Sequence, residues 1–251
     1  MNLTIDGKTV PVIDETTVLE VAQREGIWIP TFCHHPGLPP YGACRLCVVE
    51  VKAGGRPGLA ASCTLPVVNG LVIETNSPRV RRSRRILLQL LLAVAPGSAV
   101  VKELAEKMGV NTTPFEINEQ ENNCALCGLC VRVCNQVGAH AIGFAFRGTR
   151  RKVTPPFDKP TADCVGCRAC ASVCPTGDVQ FTQKGDRLFG ENWGADLSLA
   201  RCSSCGRLFT ADRLFDHVRT RLGPDYSEEK ICPTCRRRIT AKTMAGVYQY
   251  K

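Results

Sequence analysis

No apolar run in this sequence is long enough to cross a bilayer. The longest, Ile86 to Ala95, covers ten residues, is interrupted by Gln89 and stops at Pro96, against the roughly 20 that a membrane helix needs. The opening stretch, MNLTIDGKTVPVIDE, carries acidic side chains and no apolar segment. No secretory signal is therefore expected, and the expected compartment is the cytoplasm. No G-x-G-x-x-G or G-x-x-x-x-G-K-[ST] run is present to cradle a phosphate. Aromatic residues make up 6% of the chain and none adjoins the Arg236, Arg237, Arg238 run, which disfavours base stacking and a nucleic-acid partner. No cysteine or histidine is left over in a nucleophile–base arrangement. Nucleotide binding and bond chemistry are not expected of this chain.

Cysteine, by contrast, is abundant. The 251 residues include 16 Cys, with 44% hydrophobic and 22% charged residues and a formal net charge of +9. That composition is ordinary for a globular protein and excludes disorder. Without a secretory signal, so many thiols point to metal ligation rather than disulfides. They fall into four groups of four: Cys33, Cys44, Cys47, Cys63; Cys124, Cys127, Cys130, Cys134; Cys164, Cys167, Cys170, Cys174; and Cys202, Cys205, Cys232, Cys235. Four thiolates suit an iron–sulfur cluster or a structural zinc.

The second and third groups repeat one template, C-x2-C-x2-C-x3-C, as CALCGLCVRVC and CVGCRACASVC. Such a loop supplies three thiolates to one cubane, and in two-cluster ferredoxins the fourth comes from the other repeat. One [4Fe–4S] cluster is thus expected on Cys124, Cys127, Cys130 and Cys174, the other on Cys164, Cys167, Cys170 and Cys134. Cys174 precedes Pro175, as in the ferredoxin run, whereas Cys134 precedes Asn135, a difference that bears on potential more than on existence. The first group, C-x10-C-x2-C-x15-C, keeps the C-x2-C pair and distant cysteine of a plant-type [2Fe–2S] site but widens the first gap. Gly42 and Ala43 are small enough to let backbone N–H groups approach the sulfurs. His34 and His35 are expected to be exposed loop residues, because four cysteines already complete the set. The fourth group, CSSCGRLF and ICPTCRRR, reads as two knuckles closing on one zinc, with a further iron–sulfur cluster as the alternative. His217, between the knuckles, has no spacing partner and reads as a surface residue.

The expected fold class is α+β. Residues 1–78 alternate around Leu3, Ile5, Val10 and Val12, with a turn at Asp6-Gly7 and a helix capped by Thr16 and stopped by Gly26, which suggests a β-grasp [2Fe–2S] domain. Residues 79–123 hold neither Cys nor His and read as a helical connector that opens with five arginines between Arg79 and Arg85. Residues 124–185 read as a two-cluster ferredoxin-like domain, and 200–240 as a small zinc-ribbon-like module. Eleven basic and five acidic residues fall between Arg201 and Lys251, so most of the net charge sits there.

The segments PTFCHHPGLPPYGACRLCVVEV, AASCTLPVVNGLVIETNS, RRSRRILLQLLLA, CGLCVRVCNQVGAHAIGFAFRG and PFDKPTADCVGC resemble the N-terminal iron–sulfur half of the large subunit of respiratory complex I. They are equally similar to the small diaphorase-type subunits of NAD-linked hydrogenases and formate dehydrogenases. The resemblance implies an electron-relay subunit of a cytoplasmic hetero-oligomer, without membrane insertion. Its implied partners are a flavin- and NAD(P)-binding subunit on one side and a [NiFe] hydrogenase or formate dehydrogenase module on the other, with electron bifurcation left open. The His-x3-Cys-x2-Cys-x5-Cys site of many relatives has no counterpart in residues 79–123. No large catalytic domain is expected after the four-cysteine module, and the resemblance then implies that any catalytic metal sits on another polypeptide. Two rival readings are a freestanding ferredoxin-class carrier and a nucleic-acid-binding protein with structural clusters. The basic tail and arginine-rich connector disfavour the first, since small diffusible carriers are commonly acidic.

Overall fold

The structure is a computed structural model and describes residues 1–117, 123–223 and 229–248. The chain divides into two compact units. The first comprises Met1–Arg132, Arg147–Arg150 and Val173–Asp178; the second comprises Val133–Phe146, Arg151–Ser172 and Val179–Lys251. No helix among the described residues is long and apolar enough to cross a membrane.

The first unit starts with strands β1 (Asn2–Ile5) and β2 (Lys8–Pro11). Ile5 pairs with Lys8, leaving a two-residue turn in which Asp6 and Gly7 both take positive φ, the geometry that favours a glycine second. Helix α1 (Val18–Arg24) is capped by Thr17 rather than Thr16. Thr17 has extended backbone angles, its hydroxyl accepts the Glu20 N–H, and the Glu20 carboxylate accepts the Thr17 N–H at 2.9 Å, which closes a capping box. Thr16 lies one residue too early and instead donates its own N–H to Glu20. Strands β3 (Val48–Ala53), β4 (Gly58–Ala61) and β5 (Val72–Glu74) complete a sheet of order β2-β1-β5-β3-β4, with β1 and β5 parallel. Val18, Leu19, Val21 and Ala22 of α1 join Leu3, Ile5, Val49 and Ile73 of the sheet in one core. Each such large side chain contributes about 1.5–3 kcal/mol when fully buried, so this layer has a substantial core of its own.

The segment expected to be a connector packs as part of the same unit. Helix α2 (Pro78–Val94) starts behind the Ser77 cap, and α3 (Ala99–Lys107) follows behind Ser98. Val80, Arg84 and Leu88 recur every four residues on the buried side of α2. Arg84 is only 3% exposed. It donates from Nε to the Leu46 carbonyl at 2.9 Å and from Nη2 to the Val48 carbonyl at 2.7 Å, one on each side of Cys47. Burial lowers its pKa to about 10, so it stays charged at neutral pH. Arg84→Leu leaves both carbonyls unpaired and is expected to cost about 2–4 kcal/mol, read as a drop in the denaturation midpoint of this unit. Lysine is expected to rescue little, because one ammonium lacks the fork that spans two carbonyls. A leucine chain as stable as the parent would contradict this.

Helix α4 covers Leu129–Val137. In the second unit, β6 (Gly143–Ala145) pairs with β7 (Lys152–Thr154), and α5 (Ala169–Ser172) is a single turn. Strands β8 (Phe181–Lys184), β9 (Arg187–Gly190), β10 (Ala195–Arg201) and β11 (Leu208–Ala211) form an antiparallel sheet of order β11-β10-β9-β8. Residues 186–199, outside every domain that the cysteine spacing outlines, therefore supply the middle of a sheet. Ala195, Leu197 and Leu199 face inward along β10, the two-residue period of a half-buried strand. Helix α6 (Asp212–Leu222) packs on β10 and β11, and α7 (Pro233–Tyr248) follows.

Candidate iron–sulfur and metal centres

All 16 cysteines are free thiols. The first group lies on the loops around β3 and β4. Its thiols form two pairs. The Cys44 N–H reaches the Cys33 sulfur at 3.4 Å, and the Cys47 and Cys63 sulfurs are 3.3 Å apart. Cys33 is held at a pKa of about 5 by the Cys44 thiol, then by the N–H groups of Cys44 and Ala43, against the opposing effect of burial. Cys47 is held at about 6 by the Cys63 thiol, with help from the Cys63 N–H and the Ser62 hydroxyl. Cys44 and Cys63 are pushed up, each sharing its proton with its charged neighbour. The Gly42 N–H favours the thiolate of Cys63, so the small residues before Cys44 bring backbone donors to the sulfurs. Arg132 donates to the Cys33 carbonyl at 2.8 Å and covers the Tyr41 ring. His34 and His35 are half-buried rather than exposed. The His35 Nδ1 accepts the Gly37 N–H at 3.1 Å, and neither ring is needed to complete four sulfurs.

Cys124, Cys127, Cys130 and Cys174 belong to the first unit, where a charge on Cys174 acts on each of the other three. Burial pushes Cys124 up to about 11 and also raises Cys127 and Cys130, opposed by the N–H groups of Leu126, Leu129 and Val131. Cys134, Cys164, Cys167 and Cys170 belong to the second unit and line a single cavity. There the Ala141 N–H reaches the Cys134 sulfur at 3.3 Å, and the Gly166 N–H favours the thiolate of Cys164. Buried thiols facing one another ionise at a cost, unless a cationic ligand takes the place of their protons.

Cys202, Cys205, Cys232 and Cys235 come closer together: their sulfurs all lie within 4.8 Å of one another. Among the described residues no other group of three or more His, Cys, Asp or Glu draws together within that distance. Cys202 follows β10, Cys205 sits in the turn before β11, and Cys232 and Cys235 flank the start of α7. The Cys232 N–H reaches the Cys202 sulfur at 3.3 Å and, ahead of the N–H groups of Cys205 and Ser204, holds Cys202 at about 6 despite burial. Sulfurs around one tetrahedral zinc are about 3.8 Å apart, given Zn–S bonds of about 2.3 Å, so this convergence is the size of a single ion. His217 stands apart from it, with its Nε2 3.0 Å from the Val137 carbonyl.

Among the described residues, three buried side-chain polar atoms have no hydrogen-bond partner: His34 Nδ1, Ser62 Oγ and Trp193 Nε1. His34 neighbours Cys33 in sequence, Ser62 favours the thiolate of Cys47, and Trp193 favours that of Cys170. The unpaired Ser62 hydroxyl and Trp193 indole N–H, beside converging thiols, fit a sulfur-rich group that accepts hydrogen bonds.

Comparison with known families bears on the first three cysteine groups. Residues 1–78 match the family described as a 2Fe-2S iron-sulfur cluster binding domain, and residues 117–180 match the 4Fe-4S dicluster domain. The chain carries a 2Fe-2S cluster binding domain and a 4Fe-4S dicluster domain. It is 34% identical over 209 residues to the NADP-reducing hydrogenase subunit HndD of Solidesulfovibrio fructosivorans, covering 70% of this chain and 35% of that one. It is 32% identical over 232 residues to an NADH-quinone oxidoreductase chain of Rhizobium meliloti (strain 1021), covering 82% of this chain and 27% of the relative. The chain thus spans about a third or less of the length of these relatives. A chain in the crystal structure of an NAD+-reducing [NiFe]-hydrogenase in the H2-reduced state superposes with a TM-score of 0.55 at 28% identity, covering 82% of this chain and 88% of that chain.

Cysteine spacing does not lead to Arg84, Ser62 or Trp193. Arg84 has a signal of another kind, since it falls on the apolar stripe of α2 between Val80 and Leu88. Ser62 adjoins a grouped cysteine, but nothing local marks its hydroxyl as buried. Trp193 lies far from any cysteine of its cavity in sequence and is brought to Cys170 only by the fold.

Proposed function

We propose that this chain is the electron-relay subunit of a cytoplasmic, multi-subunit NAD(P)-linked oxidoreductase. It would pass electrons between a flavin- and NAD(P)-binding subunit and a separate [NiFe] hydrogenase or formate dehydrogenase module. The observation that carries this reading is the likeness to a chain of an NAD+-reducing [NiFe]-hydrogenase over 88% of that chain, joined to cysteine sets that suit three clusters.

In this reading Cys33 and Cys44 hold one iron of a [2Fe–2S] cluster, and Cys47 and Cys63 hold the other. The observed pairing of these thiols supports that division. Cys124, Cys127, Cys130 and Cys174 hold one [4Fe–4S] cluster, and Cys134, Cys164, Cys167 and Cys170 hold the second. The placement of each set within one compact unit supports the exchange of the fourth ligand. Such clusters accept and donate single electrons without bond chemistry. The protein's part is to hold the sulfurs, exclude water and aim N–H donors at the charge. The N–H groups of Ala43, Cys44 and Gly42 do this at the first site, and those of Leu126, Leu129 and Val131 at the second.

Cys202, Cys205, Cys232 and Cys235 hold zinc, supported by their single-ion spacing. Zinc has no redox chemistry, so residues 200–240 form a docking module and not a station on the path. The exposed Arg236, Arg237, Arg238 and Lys242 on α7 suit an acidic partner surface, with an attraction that salt weakens. The full chain, tagged in its native host, is expected to copurify with a flavin-bearing, NAD(P)-reactive protein. Isolation as a free carrier at low ionic strength would contradict the relay reading.

A further inference from the structure

The β9–β10 hairpin contributes no ligand to any cysteine group, yet it carries one large side chain into the cavity of the third centre. Its strands pair Gly190 with Ala195, and residues Glu191–Trp193 between them make a single 3-10 turn. Gly194 closes that turn at φ +60, where a Cβ would stand 2.8 Å from Pro160. Strain and space both favour glycine there, so the backbone that aims Trp193 is tightly fixed. The indole is 5% exposed and lines the same cavity as Cys134, Cys164, Cys167 and Cys170.

The indole N–H is buried without a hydrogen-bond partner, in the cavity that Cys134, Cys164, Cys167 and Cys170 also line. A buried donor without an acceptor is costly, and phenylalanine would fill the space with no donor at all. The donor has a use only if the cavity gains an acceptor. Sulfur bound to a cluster becomes more negative when an electron is added, and a fixed N–H aimed at it favours the reduced form.

We infer that Trp193 donates its indole hydrogen bond to a sulfur of the cluster on Cys134, Cys164, Cys167 and Cys170 and holds up the reduction potential of that cluster. The inference rests on the ligand assignment proposed above. The couple takes up one electron, which dithionite supplies in a titration, and the indole keeps its proton throughout. Trp193 is a tuning residue: it sets how readily this centre accepts an electron and leaves the ligand set unchanged.

The test is an anaerobic EPR-monitored redox titration of the full chain and its Trp193→Phe variant, with the relevant signal identified by its loss in Cys167→Ser. The variant is expected to show about a tenfold weaker reduction constant at this centre, which is about 59 mV for a one-electron couple, while the other midpoints stay put. An unmoved midpoint overturns the role of Trp193 and leaves the ligand assignment standing. A parent chain with no signal sensitive to Cys167→Ser overturns the assignment and the inference together. Should the phenylalanine variant fail to assemble this cluster, a second measurement decides. Trp28→Phe leaves Trp193 as the sole tryptophan of the two in the chain, and 15N-indole labelling then reports its coupling to the reduced cluster. A nitrogen and exchangeable-proton coupling supports the hydrogen bond; its absence overturns it.

Discussion

Cys174→Ala is expected to destroy the cluster held by Cys124, Cys127 and Cys130 while sparing the one nearest to it in sequence. The reason lies in the folding of the two repeats. Val173–Asp178 belongs to the first compact unit, and the rest of its own repeat, through Ser172, belongs to the second. A charge on Cys174 is felt by Cys124, Cys127 and Cys130, whereas Cys164 and Cys170 feel Cys167. Removing the fourth thiolate of a cubane exposes one iron, so the variant should lose between one and four irons, out of about ten. The EPR signal of the second cubane should survive. A variant that keeps the first cluster and loses the Cys164 centre would show that each repeat is self-contained.

The second large effect is expected at the C-terminal four-cysteine site. Its buried core consists of Cys202, Cys232 and Cys235, with Phe209 and Ile231 packed against them. That is too little apolar burial to order two knuckles and the start of a helix. Zinc binding supplies about 10–16 kcal/mol in small metal-folded domains, far more than this core can give. Cys232→Ser is therefore expected to lose about one zinc per chain and to release amide protection at Cys202, Gly206 and Arg236, whose N–H groups bond within the knuckles. The clusters in residues 33–174 should be unaffected. Iron with acid-labile sulfide at this site would make it a fourth redox station and overturn the docking role. Retained protection in the variant would show that the segment folds without metal.

The 2Fe-2S and 4Fe-4S dicluster domains are legible in the sequence because cysteine spacing is a local property of the chain; the crossed fourth ligand stays a proposal that the Cys174 variant tests. Helix α1 is legible too, since threonine followed by Glu20 ahead of an apolar run marks a helix start. The one-residue error arises because Thr16 and Thr17 both stand within reach of Glu20. The connector is harder. Five arginines between Arg79 and Arg85 read as a solvated run, and only helical periodicity shows that Arg84 shares a face with Val80 and Leu88. Its partners, the Leu46 and Val48 carbonyls, lie far away in sequence, and burying a guanidinium is justified only once both are in place. Residues 186–199 hold no cysteine, so ligand spacing passes over them. Yet Ala195, Leu197 and Leu199 alternate with Asp196 and Ser198, which is a strand signal. Trp193 has no such signal, because its meaning comes from the cavity it enters.

The relay function stands or falls on whether electrons from a nicotinamide reach this chain's clusters through a partner. The most direct measurement is EPR of the anaerobic native complex before and after NADH or NADPH is added, with the isolated chain as control. The account predicts that the complex develops signals of a reduced [2Fe–2S] cluster and at least one reduced [4Fe–4S] cluster. The isolated chain should stay oxidised with the same reductant, because the proposal puts the NAD(P) site on the partner. Direct reduction of the isolated chain by NAD(P)H, or a complex whose clusters stay oxidised while its flavin is reduced, would contradict it.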